Sequence, residues 1–167
     1  MPMRAEPAGP AALAIVLESE ADTDRLGRAL AEVVRPGVVI GLVGHLGAGK
    51  TRLVRALAEA LGVDPLAIAS PTFVLIQEYE GRDMPIYHFD TYRLDDPVAF
   101  DALGAADYWL EADGLCLVEW ADLVADRLPP STWWLRIEST GPESRAVRLE
   151  LPGAEAAALL ARLSRPS

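Results

Sequence analysis

The stretch Gly44-His45-Leu46-Gly47-Ala48-Gly49-Lys50-Thr51 constrains this chain more than any other, because it completes the pattern G-x-x-x-x-G-K-S/T between two segments of opposite character. Before it, residues 38–43 form an apolar, β-branched run that predicts a strand covered on both faces. After it, residues 50–61 predict an amphipathic helix: Leu53, Val54, Leu57, Ala58 and Leu61 recur at helical spacing, Arg52, Arg55 and Glu59 take the wet face, and Gly62 stops it. A turn of small residues joining strand to helix lets the backbone wrap a phosphate with its N–H groups inward, and the helix adds its positive end. In such a loop Lys50 reaches the β and γ oxygens of a nucleoside triphosphate and Thr51 offers a hydroxyl to Mg²⁺. The expected fold is therefore α/β and P-loop NTPase-like, with a nucleoside triphosphate and Mg²⁺ as ligands.

The remaining pattern fills out one domain. Residues 1–12, rich in Ala, Pro and Gly, lack periodicity and predict a flexible tail, so the single domain is expected over residues 13–167. Residues 13–17 predict a short strand, and residues 19–34 a capped helix with Leu26, Leu30 and Val33 on one face, ended by Pro36 and Gly37. Residues 71–79 and 84–90 predict two strands about a turn at 80–83, a short helix follows at 96–103, and residues 115–118 predict a buried strand ending in Glu119. A strand pair at 133–137 and 146–151 precedes a final helix at 154–163.

Composition narrows the partners. A net charge of −10 argues against an extensive phosphate-binding surface, so direct, strong binding of nucleic acid by this chain alone is not expected. Of the 15 basic residues 14 are arginine; the one lysine is Lys50, where a compact ammonium suits the site better than a planar guanidinium. No run approaches the ~18–20 apolar residues of a membrane span, and the first ten residues lack a signal-peptide pattern. A cytoplasmic protein without membrane attachment is expected. Cys116, the only cysteine, lies in the apolar run before Glu119 and reads as a buried structural thiol.

A P-loop also needs a carboxylate for Mg²⁺, and two close apolar strands: Asp90 and Glu119, the second after the cleaner buried run. For either acid alone, a solvated strand end is an equally good reading. Ser70-Pro71-Thr72 stands where many NTPases carry a segment that senses γ-phosphate, although a simple turn before a strand is favoured on local grounds. His45 and His88 read as surface or packing residues.

Four segments together, residues 44–51, Ser70-Pro71-Thr72-Phe73, Tyr87-His88-Phe89-Asp90-Thr91-Tyr92-Arg93-Leu94 and Leu117-Val118-Glu119-Trp120, closely resemble the TsaE family, formerly YjeE, in both order and spacing. The resemblance runs from the early helix to about residue 151, and its H-F-D-x-Y-R-L and V-E-W segments are far more specific than a P-loop. It implies an α/β, P-loop NTPase-like three-layer fold with a central mixed β-sheet, ATP with Mg²⁺, and work beside TsaB and TsaD in making threonylcarbamoyladenosine at position 37 of tRNA, with tRNA met only through that complex. By position, the resemblance implies Thr51 and Glu119 as metal ligands, Lys50 and its loop as the phosphate site, Asp90 as the acid tied to hydrolysis and Thr72 as the switch-like residue. It also implies an adenine-side turn at residues 19–23, including Thr23, and an arginine near the nucleotide at Arg145. His45 departs from the family, which usually has an acidic residue after the first glycine. Trp120 reads either as packing that fixes Glu119 or as part of a docking surface.

Other classes fit less well. A small-molecule kinase should show an arginine-bearing lid, which is not apparent between residues 94 and 130. A GTPase usually carries N-K-x-D, and this chain has no asparagine. A non-catalytic, ATP-gated adaptor would keep the same pocket, and only turnover with the partners separates it from an ATPase.

Overall fold

The computed structural model describes residues 3–68, 75–94 and 96–166. Its frame is an eight-stranded mixed sheet, built from β1 (Arg4–Pro7), β2 (Ala12–Leu17), β3 (Val39–Val43), β4 (Ile76–Glu80), β5 (Pro85–Asp90), β6 (Leu115–Glu119), β7 (Trp133–Ser139) and β8 (Arg145–Glu150) in the order β1-β2-β8-β7-β3-β6-β5-β4. The centre is parallel, β3 pairing with β6 and β7 and β5 with β6, while β1, β2, β8 and β4 join as antiparallel neighbours. Burial follows this order. All five residues of β6 are buried, as a central parallel strand requires, whereas β1 is largely exposed.

Alternation along the strands divides the core in two. Ile40, Leu42, Leu115, Leu117, Leu135 and Ile137 face the helices α1 (Glu20–Ala31), α2 (Lys50–Ala60) and α5 (Gly153–Leu163). Val39, Tyr87, Phe89, Cys116 and Val118 face the other layer, made of the short helices α3 (Pro97–Ala102) and α4 (Ala105–Leu110) and the 3₁₀ segment Ala121–Arg127. Each fully buried Leu, Ile or Phe contributes about 1.5–3 kcal/mol, so the two clusters clamp the sheet from both sides.

Local signals set the helix ends. Ser19 caps α1 by accepting from Asp22 N–H, and Asp96 caps α3 from Ala99 N–H with Pro97 just inside. The α1–α2 layer is tied near the loop by Arg52, which bonds Glu20 and Asp24 at 2.9 Å. Among the described residues no helix is long and apolar enough to cross a membrane.

The expected flexible tail at residues 1–12 is corrected here, since Arg4–Pro7 pairs with β2 from Arg4 opposite Val16 to Pro7 opposite Leu13. The sheet supplies what composition did not: backbone hydrogen bonds from β2 and a pocket for Met3, which is buried. Two further segments, α4 and Ala121–Arg127, lie where the sequence assigned no element.

Candidate nucleotide and metal site

The central strands deliver the site to one end of the sheet. β3 runs into the loop at residues 44–51 and α2 leaves it; β6 ends in Glu119 beside β3, and β5 ends in Asp90, opposite Glu119 in parallel register. Asp90 and Glu119 therefore meet because adjacent parallel strands end together.

The loop is shaped by two glycines for different reasons. A Cβ at Gly44 would come 2.5 Å from the carbonyl oxygen of Ile137, so no side chain fits where the loop passes β7. Gly49 has φ +107° and stands as the N-cap of α2, where it provides no side-chain cap. The first turn of α2 also carries no acidic residue. Its leading N–H groups, which have no intrahelical acceptors, form a bare positive end suited to an anion. Ala48 is buried, whereas the side chains of His45 and Leu46 are exposed.

Lys50 is 5% exposed, and its Nζ donates to the carbonyl oxygens of Gly44 and of His45, the latter at 2.9 Å. The ammonium also lies 4.1 Å from the centroid of the Trp120 ring. Burial lowers its pKa, opposed by the charges of Glu119, Asp90 and Asp122. Loop carbonyls and an indole thus hold a cation at the cradle's rim, where phosphate oxygens can replace them.

Thr51 Oγ1 donates to Glu119 Oε1 at 2.9 Å, which brings together the two expected metal ligands. The other oxygen, Oε2, lies 2.6 Å from His88 Nε2, and both side chains are almost fully buried. Thr91 Oγ1 lies 3.0 Å from the Glu119 carbonyl and 2.8 Å from that of Trp120, sharing one proton between them and pinning the strand end. Asp90 is half-buried; its Oδ1 accepts from Tyr92 N–H at 3.0 Å. Burial pushes its carboxyl above the ordinary range and Glu119 adds to this, against the Tyr92 N–H, His88 and Lys50.

Arg145 reaches the loop from behind: its Nε donates to Ala48 O at 2.8 Å and its Nη2 lies 3.5 Å from Gly47 O. It braces the cradle through carbonyls. Thr23 is buried in α1, in the turn whose Glu20 and Asp24 hold Arg52, next to Thr51 in sequence. Thr72 lies outside the described residues. Trp120, in the left-handed region at φ +57°, packs its ring on Tyr92 at 4.7 Å and roofs Lys50. Trp109 instead packs with Phe89 and Phe100 in the second cluster.

His88 is the residue the sequence reading undervalued. Its signal was the i, i+2 spacing to Asp90 on a strand, which places both on one sheet face with the end of the neighbouring strand.

The residues fit a Mg²⁺-nucleotide. The loop excludes a side chain at Gly44, the helix end is bare, and one hard-oxygen carboxylate and one hydroxyl stand together beside it. Among the described residues no group of three or more His, Cys, Asp or Glu forms a ready-made cage. That suits Mg²⁺, which takes one or two protein oxygens and completes its shell with phosphate and water.

Comparison with known proteins agrees with the fold. The family described as "Threonylcarbamoyl adenosine biosynthesis protein TsaE" matches residues 17–147. The tRNA threonylcarbamoyladenosine biosynthesis protein TsaE of Bacillus subtilis is 36% identical over 144 residues, 86% of this chain and 89% of its own. Its counterpart of the same name in Aquifex aeolicus is 39% identical over 136 residues, 81% of this chain and 93% of its own. The crystal structure of YdiB from Bacillus subtilis superposes with a TM-score of 0.72 at 31% identity, covering 97% of each chain.

Proposed function

The chain belongs to the TsaE family, and on that premise we propose that it binds ATP with Mg²⁺ at residues 44–51 and hydrolyses it in support of threonylcarbamoyl modification of adenosine 37 in tRNA, beside TsaB and TsaD in the cytoplasm. The observation that carries this reading is the uncapped, acid-free start of α2 beside Lys50 and the Thr51–Glu119 pair. A helix end left bare by its own sequence, with a buried cation at its rim, is built for a polyphosphate.

Thr51 and Glu119 would hold Mg²⁺, which when bound supplies Lewis-acid stabilisation of charge on the phosphoryl oxygens. Loop amides and the Lys50 ammonium hold the β and γ oxygens and stabilise the charge that builds as the γ-phosphoryl leaves. Trp120 keeps that ammonium at the cradle, so little reorganisation is needed when phosphate takes over from the loop carbonyls. Asp90, held at one oxygen by Tyr92 N–H, orients the attacking water. Thr72 serves as the residue that senses the γ-phosphate.

ATP hydrolysis is to be measured on the purified chain with and without TsaB and TsaD, using Lys50→Ala as the blank. Turnover that rises with the partners and drops at least about 100-fold in Lys50→Ala is expected. ATP binding with no partner-dependent turnover would instead make the chain an ATP-gated adaptor.

A further inference from the structure

Glu119 is a buried carboxylate gripped at both oxygens, and the second grip belongs to a residue the reaction described above leaves unused. His88 Nε2 lies 2.6 Å from Oε2, while Thr51 Oγ1 lies 2.9 Å from Oε1. His88 is 1% exposed and Glu119 2%. An ionised carboxylate only accepts, so the proton of this contact sits on Nε2. Nδ1, on the far side of the ring, is buried with no hydrogen-bond partner among the described residues. The imidazole thus directs its one satisfied polar atom at Glu119, an arrangement that packing alone does not require of a strand residue in an apolar layer.

We propose that His88 is a positioning residue for the metal site: its Nε2–H fixes the rotation of the Glu119 carboxylate so that Oε1 stays turned to Thr51. This rests on the reading of Thr51 and Glu119 as metal ligands. The physical reason is the one that makes outer hydrogen bonds matter at metal sites generally, since a ligand already held in its binding orientation loses less freedom when the ion arrives. β5 and β6 enforce the contact, because in their parallel register Asp90 stands opposite Glu119 and His88 one same-face step earlier, under the carboxylate. The contact requires a donor at the position of Nε2. Gln places its amide nitrogen near that position, whereas Asn reaches only as far as Nδ1.

The test is nucleotide binding, read without turnover. ADP affinity is measured by titration calorimetry as Mg²⁺ is raised from an EDTA baseline, in the wild type, Glu119→Gln, His88→Leu, His88→Gln and His88→Asn. For the wild type, Mg²⁺ should tighten ADP binding and Glu119→Gln should remove most of that gain; failure of either sinks the metal reading itself, independently of His88. Given both, His88→Leu and His88→Asn should raise the Mg²⁺ concentration for half-maximal tightening by about 10- to 100-fold, and His88→Gln by much less. The affinity in EDTA should stay near the wild-type value in every folded His88 variant. An unchanged Mg²⁺ requirement in His88→Leu, or equal requirements in the Gln and Asn variants, overturns the proposal, and so does a loss of affinity that is the same with and without Mg²⁺. Should His88→Leu fail to fold, the Gln–Asn comparison decides alone.

Discussion

Asp90 and Glu119 end adjacent strands, and the fold keeps two carboxylates near each other at the cost of mutual repulsion. Glu119 has Thr51 and His88 to offset this; Asp90 has the Tyr92 N–H and a half-buried setting that raises its pKa. A carboxyl whose folded pKa is raised contributes stability that is fully present below its unfolded value, about 3.9, and is lost as pH rises through the folded value. At neutral pH the ionised Asp90 is therefore a net burden in the nucleotide-free protein. Asp90→Asn should raise Tm at pH 7 by about 2–4 °C, at most ~1 kcal/mol after solvent screening, and the gain should vanish as pH falls into the ordinary carboxylate range. The same change should lower partner-stimulated hydrolysis by at least about 100-fold. Thermal unfolding across pH, set beside ATPase rates, checks both; a Tm gain that is absent at pH 7 or independent of pH would contradict the assigned cause.

Elements built on strong local signals were readable before the structure. β3 and β6 announce themselves as apolar runs, α2 by its 3.6-residue stripe, and α3 by Asp96-Pro97 at its start. β1 was not, because Arg4-Ala5-Glu6-Pro7 is only four residues long, ends in proline and has no β-branched residue; its pairing is imposed by the free edge of β2. Likewise α4 and the 3₁₀ segment exist because Tyr108, Ala121 and Val124 cover the second face of the sheet, a requirement set by tertiary packing. In the site, the loop, Thr51, Glu119 and Asp90 were legible as motifs, whereas the His88–Glu119 contact depends on a strand pairing that a single sequence does not state. β1 offers an element-scale prediction. Deleting residues 1–7 uncovers β2 and removes the buried Met3, so Tm should fall by an amount equivalent to about 1–3 kcal/mol, and aggregation should rise with protein concentration. ATP affinity should not change, since β2, β8 and β7 separate β1 from β3. Calorimetry of the truncated chain tests the two statements together, and a lost affinity would show the edge strand coupled to the loop.

At the scale of the molecule, sheet order was beyond sequence: nothing in the strands says that β3 lies between β6 and β7, and only the handed, parallel crossovers of a layered α/β fold put it there. Charge is a whole-molecule property as well. With −10 overall, the chain should not retain tRNA by itself at 50–200 mM salt, where binding by phosphate neutralisation is already weakening. A mobility-shift titration with purified tRNA, with and without TsaB and TsaD, should show retention only with the partners; a shift by the chain alone that weakens steeply with salt would reveal a basic face that the net charge conceals. Lys50 is the sole side-chain amine in the protein, sheltered by two loop carbonyls and the Trp120 ring. Apart from the α-amino group, an amine-selective acylating reagent therefore has a single target, and the fraction of one peptide that it modifies records how often the loop releases its cation, so the protein carries its own probe of the phosphate site without any label being engineered into it.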